Sequence, residues 1–309
     1  MRGSLKLGRI AGIMVEIHYT WVFVFALVTY LLANGMSELV ASPVLAWAVA
    51  VVTSLAFFGA VLAHELAHSL VANSYGEFVE RITLFAFGGV AHLNDEPPSG
   101  AAELWIALAG PGMSLALAGV FGGGVILLKL GPPSLEVVHF AFLYLAVINL
   151  ILALFNMTPA YPLDGGRVLR AIIWIATGRF DRATRVAARI GQAFAWVLMG
   201  YGMLLTLRGP GAVFNGLWMV AIGWMLSSGA RGSLQRLAIE SALSGVTVEQ
   251  IMTTAPASAG ADWSLQRLVY EVILPQRTRE VPITWGGQTL GVVNANAVQR
   301  VPQANWPVM

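Results

Sequence analysis

The sequence predicts an α-helical polytopic membrane protein with about six transmembrane helices, a short membrane-associated β segment and a small α/β tail. Three observations carry this. The 309 residues are 57% hydrophobic and only 11% charged, with mean hydropathy +0.71. A soluble domain carries about 25% charged residues, and a single core does not explain the deficit, because a water-facing surface still needs polar cover. Uncharged runs long enough to cross a bilayer recur from residue 17 to residue 230, and past them the composition turns to that of a soluble domain.

A spanning helix needs roughly 20 apolar residues. The first run, 17–37, lies between Glu16 and Glu38. Basic residues precede it (Arg2, Lys6, Arg9), as in a secretory leader, but with further spans following and no small-residue cleavage site it reads as a retained helix. The second run is 43–72, interrupted only by the cluster His64–His68. Segment 77–100 is different: β-branched and aromatic residues around a Gly-Gly break predict short strands and a turn. Free strand edges are not tolerated in lipid, so helices or a watery site must shield it. Runs 104–128 and 137–155 supply the third and fourth spans. After the break at Pro159 and Pro162, a short amphipathic piece covers 165–177, and 190–207 and 212–230 give the fifth and sixth spans. The expected division is a transmembrane domain at 1–230, a linker at 231–245 and a tail at 246–309. From residue 246 the tail is expected to run through a short strand-like start, a helical piece at 264–273 and a second strand-like run at 289–293.

Six spans place both termini on one side. With the N-terminus inside, twelve basic residues flank the inner face (Arg2, Lys6, Arg9, Arg81, Arg167, Arg170, Arg179, Arg182, Arg185, Arg189, Arg231, Arg236) against Lys129 and Arg208 outside. That asymmetry predicts cytoplasmic termini, in the plasma or cell inner membrane. The ten tryptophans and seven tyrosines suit the lipid–water boundary, and His18 and His139, at span ends, read as interfacial packing. A net charge of +2 gives no reason to expect nucleic acid, and the absence of cysteine excludes disulfides and thiolate-held metal.

The chemistry centres on His64-Glu65-Leu66-Ala67-His68. Positions i and i+4 share a helix face, so two imidazoles grip one Zn²⁺ while the Glu between them reaches the attacking water as general base. The bland alternative is a pair of packed histidines, but two His and a Glu in an apolar helix are expensive to bury and default to function. A catalytic zinc takes three protein ligands. Of the four aspartates, Asp181 sits in an Arg-rich loop and Asp262 in the tail. Asp164 closes Asn156-Met157-Thr158-Pro159-Ala160-Tyr161-Pro162-Leu163-Asp164-Gly165-Gly166. There two prolines unwind the chain and two glycines allow close backbone approach. Asp164 is the favoured third ligand, compatible with a role as N-cap; His92, Asp95 and Glu103 are the rivals.

Together, the motif at 64–68 and the run at 156–166 resemble the site-2 protease family of intramembrane metalloproteases. Phe87-Gly88-Gly89-Val90-Ala91 is similar to that family's membrane-associated hairpin, and Ala109-Gly110-Pro111 to the start of its third core helix. The resemblance covers about 1–230. It implies zinc held by His64, His68 and Asp164, Glu65 as catalytic acid and base, Asn156 beside the reacting carbonyl, and transmembrane proteins as substrates. Ser114 departs from it, standing where many relatives have an amide. In the tail, Val246–Thr253 resembles the opening of a CBS (cystathionine β-synthase) repeat, and Gly291–Val298 its closing strand and helix. That implies an adenine nucleotide ligand. Such repeats pair, so a single one points to a homodimer or to a second repeat outside this sequence. A strand within 82–92 would hold an extended substrate by edge addition. Two other readings fit some of these features: a CBS-regulated transporter or channel with His64 and His68 on an ion path, and a catalytically idle binder of the same fold. Intact Glu65 at metal spacing disfavours both.

Overall fold

The computed structural model describes residues 4–40, 42–86, 88–93, 96–132, 135–254 and 256–307, with backbone alone at 90–93. The chain divides into two units, Met1–Glu240 and Ser241–Met309.

The first unit opens with a hairpin, β1 (Ser4–Ile10) and β2 (Ile13–His18), then α1 (Thr20–Met36). The span expected from residue 17 therefore begins as strand. Ala11 and Gly12, both at positive φ, make the turn. From there Ile13, Val15 and Ile17 alternate with Met14 and Glu16, and the buried Glu16 accepts a 2.7 Å hydrogen bond from Ser4 Oγ. α2 (Pro43–Ser74) starts on a Ser42 cap that accepts from the Leu45 amide, with Pro43 at the first helical position, where its missing N–H costs nothing. Next come β3 (Val79–Phe85) and β4 (Gly88–Leu93), the expected hairpin.

These strands form one sheet, in the order β1-β2-β3-β4. β2 and β3 run parallel, Met14 opposite Arg81 and Ile17 opposite Leu84; the other pairs are antiparallel. β3 is therefore interior, and the edge strand expected within 82–92 is β4. Ile13, Val79, Ile82 and Leu84 form a core with Val61 and Ala72 of α2 and with Ala102 and Ile106 of the next helix, so the sheet lies against the helix that carries the His-Glu-His cluster.

α3 (Gly100–Leu128) is capped by Ser99, which accepts from the Ala102 amide, and has Glu103 in its first turn. Ala109-Gly110-Pro111, expected as a helix start, lies inside α3 instead. A proline there removes one backbone hydrogen bond, and the Ser99 cap explains why the helix begins before it. α4 (Glu136–Asn156) is followed by α5 (Asp164–Thr177), which ends on Gly178 in the left-handed conformation. α6 (Phe180–Thr206) and α7 (Pro210–Leu243) complete the unit, α7 running on through most of the stretch expected as linker.

Among the described residues, four helices are long and apolar enough to cross a membrane: α2, α3, α4 and α7. α1 is a shorter apolar helix, and α6 falls outside the set, its N-terminal half carrying Asp181, Arg182, Arg185 and Arg189.

The second unit holds α8 (Val248–Ile251), β5 (Ala259–Gly260), α9 (Leu265–Leu268), a π turn (Val269–Ile273), α10 (Leu274–Gln276), β6 (Glu280–Trp285), β7 (Gln288–Asn294) and α11 (Ala295–Val298). Its sheet runs β5-β6-β7 over a small core of Ala259, Leu268, Val272 and Val281.

Candidate metal centre

Residues four apart on α2 and on α3 face each other. His64 and His68, one turn apart on α2, meet Ile106, Gly110 and Ser114, spaced by four on α3. His64 Nδ1 lies 2.9 Å from Ser114 Oγ, and His68 Nδ1 donates to the Ile106 carbonyl at 2.6 Å. A carbonyl oxygen only accepts, so His68 carries a proton on Nδ1, and in the neutral ring Nε2 is the nitrogen left to act as a ligand. Between the two contacts sits Gly110, where a Cβ would collide with both Nε2 atoms. Any larger residue would occupy the space in front of the imidazoles.

Asp164 arrives from α5. The preceding segment is packed so closely that a Cβ at Gly165 would overlap the Met157 and Thr158 carbonyls, and one at Gly166 the Tyr161 backbone. Both glycines are thus required by close approach. Asp164 is the first residue of α5; the cap position belongs to Leu163, which makes no side-chain cap bond. The carboxylate is therefore free to turn inward, and Oδ2 stands 3.3 Å from His64 Nε2 and 3.3 Å from His68 Nε2, which are themselves 3.1 Å apart. All three side chains are buried.

These atoms fit a zinc ion. Ligands about 2.0–2.1 Å from a tetrahedral zinc lie about 3.3 Å from one another. In the neutral ring the His68 Nε2 lone pair faces a carboxylate and a second imidazole, an arrangement that a bound cation offsets. Each imidazole is oriented through its other nitrogen, the usual arrangement for metal-ligating histidine.

Glu65 is half-buried and lines a cavity of about 810 Å³ together with His64, His68, Asp164, Asn156, Gly88 and Gly89. Gly89 of β4 lies against its side chain, so closely that a Cβ there would overlap Glu65 Cγ and Cδ. Asn156, the last residue of α4, is half-buried on the cavity wall. Toward α7 the cavity is lined by Arg167, Ser233 and Arg236, and by Glu96, whose carboxyl burial and the nearby Glu240 hold above the ordinary carboxylate range.

Of the rival third ligands, Glu103 is fully buried against Arg170. Asp95 and the His92 side chain lie outside the described residues. Ser114 and the Ile106 carbonyl are the functional groups that the sequence reading did not assign; the i, i+4, i+8 spacing of 106, 110 and 114 on one apolar helix is the signal that marks them.

Residues 52–133 and 122–198 match the family model described as Peptidase family M50. The candidate zinc metalloprotease Rip3 of Mycobacterium tuberculosis is 35% identical over 285 residues, 92% of this chain and 72% of the relative. The chain belongs to peptidase family M50. A zinc metalloprotease of Methanocaldococcus jannaschii is 28% identical to this M50 peptidase over 302 residues, 97% of the chain and 80% of the relative. The solved structure of a site-2 protease from the same organism aligns at 31% identity over 75% of this chain and 95% of its own, with a TM-score of 0.49.

Proposed function

We propose that this M50 peptidase is an intramembrane zinc metalloprotease that hydrolyses peptide bonds of transmembrane proteins. The observation that carries the reading is the convergence of two imidazole Nε2 atoms and one carboxylate oxygen within 3.3 Å, in a cavity that also holds Glu65. When bound, zinc supplies a Lewis acid that polarises a peptide carbonyl and acidifies a water. His64, His68 and Asp164 hold it, and Ser114 and the Ile106 carbonyl keep the two rings oriented. Glu65 takes a proton from the attacking water as its oxygen adds to the carbonyl carbon, and passes it to the amine nitrogen as the C–N bond breaks. Asn156 donates a hydrogen bond to the developing oxyanion. A helical substrate has its carbonyls tied up internally, so it must unwind. The outer edge of β4, next to Glu65, offers main-chain pairing for the unwound segment. An ion path needs no carboxylate drawn onto both imidazoles, which favours hydrolysis over transport.

The proposal extends to the rest of the chain. α1 and α6 join the four long apolar helices to give six spans, with both termini cytoplasmic. The second unit acts as a CBS-like module that binds an adenine nucleotide, completed by a second copy of the chain or a second repeat.

The deciding experiment compares wild type with Glu65→Gln on a purified single-span substrate, with zinc content measured in parallel. The variant should keep its zinc and lose turnover by about 10²–10⁴-fold. Substantial residual cleavage would remove Glu65 from the role of base.

A further inference from the structure

α3 brings Glu103 to the interior in its first turn, and α5 brings Arg170 to the same place; their exposures are 0% and 7%. Arg170 Nε donates to Glu103 Oε1 at 2.6 Å, and Nη2 donates to the same oxygen. Arg167 Nε stands 4.0 Å from that oxygen, whereas Glu103 Oε2 has no hydrogen-bond partner among the described residues. The guanidinium carbon of Arg170 lies 5.2 Å from the ring centre of Tyr161, in the segment leading to Asp164, and 5.0 Å from that of Phe180, at the start of α6. None of this touches the metal ligands, and the mechanism above makes no use of it.

The same two helices frame the metal centre. α3 orients both imidazoles through Ile106 and Ser114, and α5 carries Asp164. The distance from Oδ2 to the two Nε2 atoms therefore depends on the register of α5 along α3. At Gly100 the two helices come close: a Cβ there would lie 2.8 Å from the Ile175 side chain, 3.2 Å from the Ala171 carbonyl and 3.2 Å from the Ile175 amide. Apolar contacts of this kind hold helices close but leave little energy against a small slide of one along the other. A buried ion pair fixes the register, because a slip leaves two charges unpaired in a dry interior. The stacked rings confine the guanidinium further.

We infer that the Glu103–Arg170 pair is the positioning device that sets Asp164 against His64 and His68, an inference that rests on the metal-centre reading above. Desolvation offsets much of the Coulombic gain of such a pair, so an apolar pair of similar volume retains stability. Register, and with it metal affinity, is what the apolar pair loses.

The test uses the full chain in detergent. Zinc affinity is read by competition with a chromophoric chelator, and thermal unfolding is followed in the metal-free form. The double variant Glu103→Met/Arg170→Leu should bind zinc about tenfold or more weakly while its metal-free unfolding midpoint stays at the wild-type value. Arg170→Lys keeps the charge and loses the fork; it should show a smaller loss at an unchanged midpoint, and it carries the test alone if the double variant does not fold. Wild-type affinity in these variants would overturn the inference. So would a loss of affinity matched by a parallel fall in the midpoint, which marks a structural role only. Asp164→Ala serves as reference: if it kept wild-type zinc affinity, the metal-centre reading itself would fall.

Discussion

At His68 one ring nitrogen is committed to a backbone carbonyl, and at His64 the corresponding partner is a serine hydroxyl. The two rings therefore differ in how they can be perturbed. No substitution at 106 removes a carbonyl, whereas Ser114→Ala deletes the His64 contact at the cost of one oxygen atom. Ser114→Ala should lower zinc affinity about 10–100-fold while leaving the bound centre catalytic at saturating zinc. Asp164→Ala should abolish both occupancy and cleavage, because two neutral imidazoles alone make a poor site. Metal titration of the purified variants separates the two cases. The histidines and Glu65 were legible in the sequence because i, i+4 spacing is a helical signature, and Asp164 because prolines and glycines surrounded it. The orienting groups were not. A carbonyl has no residue type, and the spacing of Ser114 from 106 and 110 becomes a signal only once α3 is known to face α2. Glu103 reads in the sequence only as a rival carboxylate to Asp164, since nothing in one dimension pairs it with Arg170.

Elements meet at this centre through glycine. Gly110 brings α3 against α2 with the imidazole nitrogens in the contact. Gly110→Ala should cost about 1–3 kcal/mol in stability as an overpacked site and should lose zinc even where the chain folds. Chelator competition together with thermal unfolding would show it. Gly112, with open space around it, is the control expected to tolerate alanine. Legibility at this scale followed contrast in composition. α2 to α5 stood out between polar breaks, and the β3–β4 hairpin showed through its Gly-Gly pair, which opens β4. The β1–β2 hairpin did not, because β2 runs into α1 with only His18, Tyr19 and Thr20 between two apolar stretches. Hydropathy alone fuses such a strand and helix into one span.

For the whole molecule, the proposed cytoplasmic placement of the site is open to direct labelling, since the chain has no cysteine of its own. Tyr75→Cys and Arg179→Cys should be shielded from an impermeant external reagent, and Ser37→Cys and Leu130→Cys should react with it; all four positions are exposed. Labelling of the first pair ahead of the second would invert the topology. The metal ligands all fall within Met1–Glu240. Removal of residues beyond Glu240 should therefore leave basal hydrolysis within about twofold, and should erase any change in rate caused by adenine nucleotide in the full chain, because a ligand shifts an equilibrium only through a site that distinguishes its states. An equal nucleotide response in both forms would take the second unit out of the regulatory reading. Composition changes toward the soluble type near residue 240, where the structure divides into two units, but the helical course of α7 to Leu243 is hidden in the sequence, since Arg231–Leu243 is polar enough to read as loop. The parallel pairing of β2 with β3 has a consequence for biosynthesis. Parallel neighbours need a crossover, and here the crossover is α1 and α2. The strand that flanks Glu65 belongs to a sheet that cannot close until both helices have left the ribosome and been threaded into place, and Asp164 emerges later still. A nascent chain therefore carries its histidines and glutamate for much of its synthesis without a working blade, and becomes a protease only when its final ligand is inserted.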